Sequence, residues 1–105
     1  MRRDDAVFRA LADPSRRAIY EQLSRGEAAV KDLTARFSIS QPAVSQHLGA
    51  LRRAGLVSER RQGRLVYYRI NPNGLRPLID WISHYRAFWP ERVEALQTLL
   101  KELDR

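Results

Sequence analysis

Ser40 to Gly55, SQPAVSQHLGALRRAG, is the stretch whose reading decides the fold. Ser40 can cap a helix start through its hydroxyl, and Pro42 falls in the first turn, where a missing N–H costs nothing. Gly55 marks the stop. Between them Val44, Leu48 and Leu51 repeat at the i, i+4, i+7 spacing of one buried stripe, while Gln41, Ser45, Gln46, Gly49, Arg52 and Arg53 fall on other faces. That outer surface is polar and uncharged at its start and basic at its end. A helix that sets amides and hydroxyls against base edges and arginines against phosphates has this order. An ordinary solvated surface helix has it too.

Upstream, Val30, Leu33 and Phe37 make the buried stripe of a short helix whose start is weakly capped, since Ala29 and Val30 offer no side-chain oxygen. Ser38-Ile39-Ser40 is then a three-residue turn with Ile39 as an apolar plug. That length suits a helix-turn-helix, and equally a plain helical hairpin. Glu27 to Ala29 reads as a connection. Before it, Asp13 as N-cap and Pro14 at the first helical position start a helix with Ile19 and Leu23 in the core, ended by Gly26. Asp4 to Ala12 reads as a first helix with Val7, Ala10 and Leu11 on one face. Phe8 lies off that stripe, which suggests a second contact such as one with another subunit, although a single exposed aromatic needs no explanation.

Downstream of Gly55 the period changes from helical to alternating. Leu56 to Gln62 and Leu65 to Ile70 read as two strands joined at Gly63-Arg64, with Val66, Tyr68 and Ile70 on one face. Arg60, Arg61 and Arg64 make the tip a basic finger. Such a tip suits a DNA minor groove or its flanking phosphates, although charged hairpin edges also serve simply to block aggregation. After the turn residues 71–74, Leu75, Leu78, Ile79, Ile82, Arg86 and Trp89 follow one helical stripe and Trp81, Tyr85 and Phe88 a second. A helix apolar on two sides needs two covers. We therefore expect a dimer interface at Phe8, Trp81, Tyr85, Phe88 and Trp89, the alternative being a helix folded wholly into its own core. Pro90 must kink or break this helix, and Val93, Leu96, Leu100 and Leu103 form a last seam.

With 105 residues, the chain is long enough for one domain over 1–105. A net charge of +7 calls for an anionic partner, nucleic acid or an anionic membrane surface. No run of membrane length is present, and no apolar signal region follows Met1-Arg2-Arg3, so a cytoplasmic protein without membrane insertion is expected. The lack of cysteine removes disulfides, thiol sensing and thiolate metal ligation. No Gly-rich phosphate loop, nucleophile elbow or ligand cluster is present, so no catalytic residue, cofactor or metal is assigned.

Four segments together resemble the winged helix-turn-helix regulators of the ArsR/SmtB family: Leu11 to Arg16, Ser40 to Leu48, Leu51 to Val57, and Arg61 to Arg64 continuing through Tyr67 to Ile70. The fold expected is mainly α with a small β-hairpin (α+β), a dimeric winged helix-turn-helix. Its helix-turn-helix spans 30–54, its wing 57–70 and its C-terminal dimerisation helices 74–103. The resemblance implies a homodimeric repressor on double-stranded DNA, responsive in many members to an inducer, and leaves open whether a small-molecule inducer acts here. On that reading Gln41, Ser45 and Gln46 make base or near-base contacts, Pro42 belongs to the same DNA-binding surface, and Arg52, Arg53, Arg61 and Arg64 meet phosphates or form the wing contact. His47 either reads DNA or packs at the helix edge.

Many members sense metals. The family's cysteine pair would fall on Ala29 and Lys31, and its last-helix site on Asp80, Ile82, Val93 and Leu96, where only Asp80 can ligate. His84 lacks a partner histidine and reads as structural. The resemblance is therefore to a branch without metal sensing. A rival reading keeps the scaffold as a small-molecule sensor or protein-interaction module, with Trp81, Tyr85, Phe88 and Trp89 lining a pocket.

Overall fold

The computed structural model describes the backbone of residues 3–86 and 90–103, with side chains over 5–85 and 94–103. Helices α1 (Arg3–Ala12), α2 (Pro14–Leu23), α3 (Val30–Arg36) and α4 (Gln41–Arg53) precede the hairpin β2 (Val57–Gln62) and β3 (Leu65–Ile70); α5 (Arg76–Arg86) and α6 (Pro90–Leu103) follow. A two-residue strand β1 (Ala28–Ala29) sits between α2 and α3.

Local chemistry sets the boundaries of α2 and α4 as the sequence predicts. The Arg16 N–H donates to Asp13 Oδ1 at 3.0 Å and the Ala43 N–H to Ser40 Oγ at 3.3 Å, each filling an orphan donor of a first turn. The Arg16 bond, aided by the nearby His47 charge, holds the Asp13 carboxyl below its ordinary range against partial desolvation. This cap contributes stability above the ordinary aspartate range and loses it as pH falls through the lowered value. At its other end α4 closes with paired bonds, the Leu56 N–H to Leu51 O at 3.0 Å and the Gly55 N–H to Arg52 O at 2.9 Å. Gly55 takes the φ of +79° that this Schellman ending needs.

The core lies where α1, α2, α3 and α4 meet the sheet. Val7, Ile19, Leu23, Leu33, Val44, Leu48, Leu51 and Leu56 are fully buried, and Ile39 plugs the corner before α4 as expected. The α4 stripe is thus the floor of the domain, and its opposite face is left to solvent.

Three expectations need correction. The connection at Glu27 to Ala29 is a strand: β1 pairs antiparallel with β3, Ala28 opposite Tyr68 and Ala29 opposite Tyr67, giving sheet order β1-β3-β2. Two alanines carry no β signal, so only the pairing makes them a strand. The short helix α3 ends at Arg36, and Phe37 is already extended (φ −124°, ψ 150°). Leu75, just before α5, and Leu78 within it pack on the core, but Ile79 and Ile82 remain 57% and 53% exposed. The aromatic side is the one that meets the chain's own first helix, with Phe8 and Trp81 edge to face at 5.4 Å between centroids and Trp81 against Tyr85 at 4.9 Å. Phe88 and Trp89 lie outside the described residues. Pro90 opens α6, the position where a proline is tolerated.

Candidate nucleic-acid interface

The wing is built by a two-residue turn. Gly63 has φ +62° and Arg64 an ordinary φ, as a type II′ turn requires, so the strands pair in register from Val57 opposite Ile70 to Gln62 opposite Leu65. That register puts Glu59 opposite Tyr68 and Arg60 opposite Tyr67. Both pairs anchor the wing. Tyr68 donates its O–H to Glu59 Oε2 at 3.0 Å, and Glu59 Oε1 meets Arg52 Nη1 of α4 at 3.0 Å. Burial, seconded by the Glu59 bond, raises the Tyr68 phenol above its ordinary value, which keeps it a donor. Arg60 lies over the Tyr67 ring at 4.7 Å, donates to Gln62 Oε1 at 2.8 Å and pairs with Glu27 beside β1. The Arg60 hydrogen bonds hold the Glu27 carboxyl below its ordinary range.

These anchors sort the arginines. Arg60 is tied down within the wing, and Arg52, expected at a phosphate, is engaged with Glu59. Arg53, Arg61 and Arg64 are exposed and pair with no described residue. On α4, Gln41, Pro42, Ser45 and Gln46 are exposed, and His47 is half-buried near the Asp13 carboxylate. Pro42, Gln46, Gly49 and Arg53 run down the side opposite Leu48 and Leu51.

A cleft of about 380 Å³ opens between the start of α4 and the wing. Gln41 and Ser45 line it from α4, Arg61, Arg64 and Leu65 from the wing, and Glu59 and Tyr68 from the sheet. The structure therefore brings Gln41, Ser45, Arg61 and Arg64 to one opening, with Gln46, Arg52 and Arg53 farther along the helix. It also adds residues that sequence reasoning missed. Glu59 and Tyr68 were legible in principle, since a turn at Gly63-Arg64 fixes them as cross-strand partners. Lys31 of α3, also in the lining, carried no such signal.

Chemically, the opening offers amide and hydroxyl groups beside arginines that pair with no described residue, the combination that reads base edges next to a phosphate strand. Among the described residues no group of three or more His, Cys, Asp or Glu could hold a metal ion, and no helix is long and apolar enough to cross a membrane.

Residues 13–59 match the family described as bacterial regulatory protein, arsR family. The transcriptional repressor SdpR of Bacillus subtilis is 37% identical over 79 residues, covering 75% of this chain and 88% of its own. The arsenical resistance operon repressor of Escherichia coli is 44% identical over 101 residues, 94% of this chain and 83% of that one. Among solved structures, an ArsR-like transcriptional regulator from Rhodococcus superposes with a TM-score of 0.74 at 30% identity, covering 92% of each chain.

Proposed function

Because this chain belongs to the arsR family of bacterial regulatory proteins, we propose that it is a sequence-specific DNA-binding transcriptional repressor acting as a homodimer on an inverted-repeat operator. The observation that carries this reading is the single opening shared by Gln41 and Ser45 of α4 and Arg61 and Arg64 of the wing. In each copy α4 enters a major groove, Gln41, Ser45 and Gln46 face base edges, and the wing arginines hold the flanking phosphates. Two such copies related by a two-fold axis read half-sites about one helical turn, roughly 10 bp, apart.

Dimerisation is supported by the apolar surface left uncovered. Ile79, Trp81 and Ile82 of α5 are exposed, Trp81 lies against the exposed Phe8 of α1, and α6 exposes Leu96, Leu99, Leu100 and Leu103. A second copy is the cover we assign to them. A cytoplasmic site of action and control by a small-molecule inducer belong to the same proposal. Metal release through the third-helix positions does not, because Ala29 and Lys31 have no ligating atom suited to a transition metal.

Binding-site selection from random duplexes at a stated salt concentration tests the reading, with an inverted repeat as the expected product. Gln46→Ala should change which bases are selected. Arg64→Gln should weaken every sequence alike and reduce the slope of log K against log salt by about 0.9, one phosphate contact. Equal effects of the two changes would contradict the division between base and phosphate contacts, and failure to select any sequence would favour the sensor or interaction module.

Glu59→Gln gives an independent check. Removing the carboxylate frees Arg52, so affinity for random duplex should rise and the salt slope steepen by up to about 0.9. The loss of a partly exposed ion pair should lower stability by less than about 1 kcal/mol. An unchanged slope would mean that Arg52 already sits where no phosphate passes.

A further inference from the structure

One wall of the cleft is not used by the contacts assigned above. Lys31, the second residue of α3, lines it from the α3 side, while Arg61 and Arg64 line it from the wing and Gln41 and Ser45 from the first turns of α4. Its side chain is exposed and its ammonium pairs with no described residue. The one carboxylate in the lining, Glu59, has Oε1 on Arg52 and Oε2 on the Tyr68 hydroxyl, so its charge is already answered from within the chain. What remains facing the opening is cationic on both sides. A cleft walled by one sign of charge concentrates the opposite charge, and a polyanion strand is the partner that satisfies both walls at once.

We propose that this cleft seats a sugar-phosphate strand, with Lys31 as a phosphate contact on the side away from the wing tip. The proposal rests on the DNA-binding reading and deepens it: it fixes where one strand of the duplex passes, between α3 and the wing. Nineteen residues of the chain are Lys or Arg, yet only Lys31 and Lys101 are lysines. A lysine ammonium is a compact charge on a flexible stem, suited to a phosphate approached from a variable direction, whereas arginine favours fixed bidentate geometry. The first helix of a helix-turn-helix lies across the backbone when the second is in the groove, which is where α3 places this side chain.

The scarcity of lysine makes the test direct. Reductive dimethylation of the full chain with labelled formaldehyde marks Lys31, Lys101 and the N-terminus. Adding a short random-sequence duplex at low salt should move the Lys31 resonance and leave that of Lys101 in place. In parallel, Lys31→Gln should lower affinity for selected and random duplexes by the same factor, roughly three- to tenfold, and reduce the salt slope by about 0.9, while Lys31→Arg keeps most of both. Its melting temperature should not change, since the side chain is exposed. Binding that leaves the Lys31 signal unmoved, or a Lys31→Gln slope equal to wild type, overturns the cleft assignment and spares the DNA reading. No binding to any duplex at low salt overturns both.

Discussion

Leu48→Ala is expected to lower the free energy of unfolding by about 2–5 kcal/mol, the range for emptying a fully buried leucine site. Leu48 has no exposed surface and lies on the inner face of α4, in the cluster that joins α1, α2 and α3 to the sheet. Removing it costs the transfer free energy of the lost atoms and leaves a cavity that a close-packed core fills only in part. Against a total of about 5–15 kcal/mol for a domain, that is a large fraction. The urea midpoint should fall with little change in m, measured at fixed protein concentration because the proposed dimer would also stabilise the fold. The same experiment on Gln46→Ala, two residues earlier on the outer face, should move the midpoint by less than about 0.5 kcal/mol. A loss below about 1 kcal/mol for Leu48→Ala would show that α4 can settle inward, and would weaken the view of this helix as a rigid floor beneath the proposed DNA face.

Gly74→Ala is the second large effect, and nothing in a turn of the composition Asn71-Pro72-Asn73-Gly74 announces it. A Cβ at residue 74 would stand 2.7 Å from the Gly55 carbonyl oxygen, 2.9 Å from Leu56 Cα and 3.2 Å from the Asn71 carbonyl oxygen. All three are backbone atoms, which cannot swing aside. They belong to a knot in which Asn71 Nδ2 donates to Gly55 O at 2.8 Å and the Asn71 N–H to Leu56 O at 3.0 Å, tying the exit of the wing to the end of α4. Alanine would push these segments apart, with an expected cost of about 1–3 kcal/mol. It should also weaken DNA binding per folded molecule, because the angle between wing and α4 is set there. Gly63→Ala is the comparison: its φ is +62°, but a Cβ meets nothing within 4 Å, so only the left-handed backbone opposes it. That change should cost about 1–2 kcal/mol, and less than Gly74→Ala. The reverse order, read from thermal or urea midpoints, would show that conformation and not close approach governs these turns.

Most of the helical architecture was legible because its signals are local. Asp13-Pro14 and Ser40-Gln41-Pro42 carry their caps within three residues, and the Gly55 ending needs only a residue that tolerates positive φ. The hairpin was legible for the same reason, as alternation and a glycine at the turn fix both strands and register. The candidate site was legible as residue types: amides and a hydroxyl on the outer face of α4, arginines at the tip. Which arginines are free was not. Arg52 is drawn to Glu59 and Arg60 to Glu27 by contacts between segments far apart in the chain, and a run of arginines reads alike whether or not a carboxylate waits for each.

By itself, then, the amino-acid order determined the helices with strong caps, the stripe of Val44, Leu48 and Leu51, the paired strands of the wing and the surplus of positive charge, all set by interactions a few residues long. Tertiary structure alone decided that Ala28 and Ala29 form a strand, that Trp81 turns to Phe8 of its own chain while Ile79 and Ile82 face outward, and that Lys31 shares an opening with Arg61 and Arg64. Alanine has no preference for β structure, α5 is apolar over too wide an arc to select its inner side, and α3 is held beside the wing by the pairing of β1, which runs directly into it, with β3.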